Sequence, residues 1–73
     1  MEENKTLTFG EKRVQRSFSP SANKDVEAVK QSFANIIDAI ESIKNDKNAR
    51  EIELSQAHAE TACMYAVKSL FVE

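Results

Sequence analysis

Beyond Pro20 the chain contains neither glycine nor proline, and residues 21–73 fall into two long helical periodicities. Val26, Val29, Phe33, Ile36, Ile37, Ile40 and Ile43 recur mostly three or four residues apart and form one stripe on a helix. Glu27, Gln31, Asn35, Asp38, Glu41 and Ser42 lie opposite, as a solvated face. Proline suits a first helical turn, where its missing N–H loses nothing. The helix therefore starts between Pro20 and Lys24, capped by Ser19, Ser21 or Asn23. The element as a whole occupies residues 20–44. Asn45-Asp46-Lys47-Asn48 is a polar break of turn-forming residues. Asn48 with Glu51 three residues on has the spacing of a capping box, and opens a second helix over 49–71.

That second segment constrains the assembly. Ser55, Ala57, Ala59, Ala62, Cys63, Ala66 and Ser69 spread small residues over several faces, among Ile52, Leu54, Met64, Tyr65, Val67, Leu70 and Phe71. Beyond Glu51 only Glu53, Gln56, Glu60 and Lys68 are strongly polar. A helix apolar around most of its circumference has to be covered on more than one side. A short connection makes the two helices antiparallel neighbours, but a hairpin covers one face of each and no more. The expected fold is all-α: an antiparallel helical hairpin preceded by a short arm or helix, assembled as an intertwined homo-oligomer. Size points the same way. The chain has 73 residues, and chains this small bury only roughly 60% of their unfolded surface. With one cysteine and one histidine, neither an intrachain disulfide nor a structural zinc site can add stability. The whole chain reads as one domain, with 1–19 as N-terminal arm and a short helix expected near Glu11–Arg16.

Several function classes are disfavoured. No apolar run approaches the roughly 20 residues of a membrane span. The first residues show no basic segment followed by an apolar one, so no secretory leader is expected. A single cysteine suits a reducing compartment. A net charge of −2 argues against a general DNA or RNA binder. His58 and Cys63 lie five apart, about 140° out of phase on a helix, and make neither a nucleophile pair nor a metal site. Cys63 reads as a buried thiol and His58 as a lone surface or interface histidine. A single glycine leaves no phosphate-binding loop. No enzymatic activity, cofactor or metal is expected.

What remains is a basic and aromatic cluster at the N-terminal end. Residues 1–24 hold five basic against three acidic groups, a net of +2, whereas 25–73 hold five against nine, a net of −4. Phe9, Lys12, Arg13, Arg16, Phe18 and Lys24 crowd beside a helix start, and Lys30 lies two turns further in. Arginine grips phosphate in a bidentate manner and aromatic rings stack on bases, so these are parts for a phosphorylated nucleotide pocket. The plain alternatives are a solvated charge for Lys30, a loop cation for Arg16 and a helix-start staple for Phe18. Lys30 sits about 100° around the helix from Val29 and borders the packed face rather than opposing it. Met64 and Tyr65 are expected at packed helix contacts away from a ligand.

Two segments carry a resemblance. Arg16-Ser17-Phe18-Ser19-Pro20 precedes a helix bearing Asp25-Val26-Glu27-Ala28-Val29-Lys30, and Arg50-Glu51 precedes Ala59-Glu60-Thr61-Ala62-Cys63-Met64-Tyr65-Ala66. In order and spacing, over about residues 14–70, they resemble the small phage proteins that sequester cyclic-nucleotide immune signals, the anti-CBASS and anti-Thoeris sponge family. Arg16, Pro20, Glu27, Arg50, Glu51, Glu60, Ala62, Met64 and Ala66 match that pattern. Lys30 stands for an arginine and Tyr65 for a tryptophan. Ser17 and Phe18 replace a tyrosine and a histidine, which leaves open which ring stacks on a base. The resemblance implies a homo-oligomer, commonly a hexamer, that binds cyclic dinucleotides such as the cyclic GMP-AMP type in pockets between protomers and degrades nothing. It implies a host bacterial cytoplasm, and a ligand site of Arg16, Ser17, Phe18, Pro20 and Lys30. Some members also bind a cyclic trinucleotide through an arginine near the end of the second helix. Residues 69–73 contain none, so the resemblance lends that second activity no support. The competing reading is an oligomeric helical interaction module, an inhibitor or adaptor that grips a protein through the second helix.

Overall fold

A computed structural model describes residues 7–14 and 24–72. All regular structure among them is helical, in line with the all-α reading: α1 spans Phe9–Val14, α2 Lys24–Ser42 and α3 Ala49–Ser69.

The first helix starts at Phe9, two residues before the expected Glu11, because Thr8 and Glu11 form a reciprocal cap. The Thr8 N–H donates to Glu11 Oε1 and the Glu11 N–H to Thr8 Oγ1, each at 3.0 Å. Helix α1 then docks on α2 through its glycine. The Gly10 N–H donates to Asp38 Oδ1 at 2.6 Å, satisfying a donor that a helix start leaves without a partner. A Cβ on Gly10 would overlap the Ala34 carbonyl oxygen and lie 2.8 Å from its carbon.

This docking centres the buried face of α2 on one flank of the expected stripe. Ala34 and Ile37 are fully buried, Val26, Val29, Phe33 and Ile40 are half-buried, and Ile36 and Ile43 are 48% and 63% exposed. Asp38 and Glu41 do not form a purely solvated face. Asp38 holds α1, and Glu41 Oε1 accepts from Gln56 Nε2 at 3.0 Å. Val14, Ala34, Ile37 and Cys63 make the core, with Phe33, Ala59 and Val67 packed against it.

The pairing of α2 with α3 steps outward from their connection. Lys44 Nζ lies 3.1 Å from Glu53 Oε2, and Gln56 Nε2 reaches the Ile37 carbonyl at 3.3 Å. Lys30 and Cys63 then share a cleft. The capping box expected at Asn48 and Glu51 does not form. Asn48 has φ −110° and ψ 10° and makes no side-chain cap. Its Oδ1 instead accepts from the Asn45 N–H at 2.7 Å, and its Nδ2 donates to the Ile43 carbonyl at 3.0 Å. Asn45 Oδ1 accepts from the Asn48 and Lys47 N–H groups in return. The Asn48 side chain is taken up by these loop contacts, so the two asparagines lock the connection rather than the helix start.

No helix among the described residues is long and apolar enough to cross a membrane.

Candidate ligand cleft

The three helices leave a cleft of about 630 Å³ between them. Helix α1 contributes Arg13 and Val14, α2 contributes Lys30, and α3 contributes Ala57, Glu60, Thr61, Cys63, Met64 and Val67. Two cations and one carboxylate therefore face a wall that is otherwise small or apolar.

Each side chain is placed by local structure. Val14 and Cys63 belong to the core and also line the cleft, so they hold the last turn of α1 and the middle of α3 against it. Arg13, one position before Val14, lines the cleft with its side chain 40% exposed. Its guanidinium carbon sits 4.6 Å from the centroid of the Phe9 ring, one turn earlier on α1, and its Nη1 pairs with Glu60 Oε2 on α3. Phe9 and Arg13 are four apart and share a face only because the helix begins at Phe9. The Thr8-Phe9-Gly10-Glu11 capping pattern carried that information in the sequence. Taken as a loose basic cluster, the arm did not disclose that Arg13 meets α3.

Lys30 is half-buried at the edge of the packed face, as its position after Val29 implies. Desolvation lowers its pKa below that of an ordinary lysine, while Cys63 and Glu27 pull in the opposite direction. Burial also pushes the Cys63 thiol up, partly offset by Lys30. Cys63 is thus a buried neutral thiol, whose main chemistry here is to fill space beside a cation. His58 is exposed. Among the described residues no group of three or more histidines, cysteines or acids is placed to hold a metal.

Of the residues expected at the site, Arg16, Ser17, Phe18 and Pro20 lie outside the described residues. Lys30 lines the cleft. Met64, expected at a packed contact away from any ligand, lines the cleft too and is 56% exposed in the single chain. No family model matches the chain, and no curated protein or solved structure matches it either.

Proposed function

We propose that this protein sequesters cyclic dinucleotides, the messengers of bacterial anti-phage signalling, by binding them intact. The observation that carries the reading is the convergence of Lys30 and Arg13 on one cleft with an apolar wall. A cyclic dinucleotide has two phosphates and two flat bases. Two cations suit the phosphates, and Met64 with Val67 offers soft apolar surface to a base. The reading assigns binding without reaction, in a bacterial host's cytoplasm, and keeps Arg16, Ser17, Phe18 and Pro20 as ligand residues on the strength of the resemblance alone.

In the same reading α2 and α3 form an antiparallel hairpin, and several copies, six by the resemblance, interleave. Support comes from the apolar surface a single chain leaves uncovered. Ile43, Leu54, Tyr65 and Phe71, none of which lines the cleft, are each between 47% and 64% exposed. Ser55, Thr61 and Ser69 tie their hydroxyls to the helix's own carbonyls at 2.6–3.2 Å, so α3 offers a small-residue surface that another backbone can approach closely. The same surface is what an adaptor or inhibitor would use to grip a foreign protein, which is the second reading.

Calorimetry separates them. The wild-type protein is titrated with cyclic di-GMP, cyclic GMP-AMP, a cyclic trinucleotide and the linear dinucleotides. The sponge reading expects saturable binding of a cyclic dinucleotide, recovered chemically unchanged, and weaker binding of the linear forms. Absence of heat with every nucleotide moves the assignment to the interaction module.

A further inference from the structure

Arg13 is placed where a phosphate would compete for it. It lines the cleft with Lys30, and its present anion, Glu60, lines the same cleft from α3. The pair is accessible: the Arg13 side chain is 40% exposed and that of Glu60 32%. Ion pairs this open are weakly held, because water screens them and both side chains give up rotamer freedom. Helix α1 does not depend on the pair for its place, since Gly10 against Ala34 and Asp38, with Val14 in the core, already docks it on α2.

We infer that Arg13 is a phosphate-gripping cation of the cleft and that Glu60 is an internal stand-in for the phosphate, displaced when an anion enters. Lys30 is the half-buried cation of the cleft and Arg13 the exposed one. With Glu60 counted, the lining carries a net charge of +1, so the carboxylate restrains affinity for a doubly charged ligand. The guanidinium keeps its seat over Phe9 in both states, and its planar fork gives two parallel donors to a phosphate. Glu60 therefore acts through Arg13, as a positioning and selectivity residue. The inference deepens the sequestration reading and rests on it for the identity of the ligand, although any phosphate compound tests the Arg13 exchange.

The full chain is titrated calorimetrically with cyclic di-GMP and, separately, with inorganic pyrophosphate, using wild type, Glu60→Gln, Arg13→Gln, Arg13→Lys and the double variant Arg13→Gln/Glu60→Gln. Light scattering and thermal melts check that each variant is assembled and folded. Glu60→Gln should tighten both probes about 3- to 10-fold. Arg13→Gln should weaken them roughly 10-fold or more, with Arg13→Lys recovering only part. In the Arg13→Gln background, Glu60→Gln should tighten them clearly less, leaving only the relief of direct repulsion between the carboxylate and the anion. A merely structural pair predicts the opposite pattern, equal losses of melting temperature in both single variants and no gain in affinity. Unchanged affinity in Glu60→Gln, or the same tightening with and without Arg13, overturns the inference. If pyrophosphate responds as described while cyclic di-GMP does not bind, Arg13 keeps its role and the dinucleotide reading falls. Failure of both probes to bind wild type overturns both.

Discussion

Gly10 makes a helix contact so close that nothing larger fits there. Any Cβ meets backbone, the Ala34 carbonyl, rather than a side chain that could swing aside. Gly10→Ala should therefore cost about 1–3 kcal/mol, as overpacking against an unyielding wall does, and lower the melting temperature. An unchanged melting curve would show that α1 does not pack on α2 as described. Cys63 offers a second check on this scale. Its thiol is buried and its pKa raised, so at a mildly alkaline pH less of it is thiolate than in an ordinary cysteine. Alkylation of the native protein should be slow, and should gain rate with pH over a higher range than in the denatured chain. Native and denatured protein reacting alike would contradict the burial. Much of this was legible in the sequence: a small-residue helix predicts a buried Cys63, and its place beside Val29 predicts a Lys30 that borders the packed face. Gly10 was not legible in the same way, because a lone glycine in an arm reads as a break until its neighbour across the interface is known.

At the scale of elements, the two helix starts show how local pattern and tertiary context divide the work. Thr8 and Glu11 follow the capping-box spacing and form it. Asn48 and Glu51 follow the same spacing and do not, because Asn45 competes for the Asn48 side chain within the connection. Thr8→Ala should thus destabilise α1 by about 1 kcal/mol, read as a drop in melting temperature, whereas Glu51→Ala should cost much less. Equal effects would mean that the caps were misassigned. The apolar stripe of α2 was legible as a stripe, but its buried centre was not. Docking of α1 against Ala34 and Asp38 drew the core toward one flank and left Ile36 and Ile43 outside it, and a single helix's periodicity contains no information about which flank a third helix will take.

For the whole molecule, the core of a single chain is slight. Among the described residues five apolar side chains are buried, and one buried polar side chain, Gln56, leaves its Oε1 without a partner there. Against that stand the large apolar side chains of α3 on the surface. Further copies of the chain are expected to cover them, so light scattering at micromolar concentration should give several times 8.2 kDa. Tyr65 is 59% exposed in the single chain, so Tyr65→Ala should act on assembly rather than on the fold of one chain. The predicted result is dissociation with helical circular dichroism largely retained. A monomeric wild type would remove the reason for the exposed face.

The central claim, that the cleft holding Lys30 takes a cyclic dinucleotide, is tested most directly by one comparison. Cyclic di-GMP is titrated into wild type and Lys30→Ala, with the mass of each measured by light scattering. The loss of a charge-assisted hydrogen bond predicts about 10- to 150-fold weaker binding by the variant at unchanged mass. Equal affinity in the two proteins, at equal mass, would contradict it.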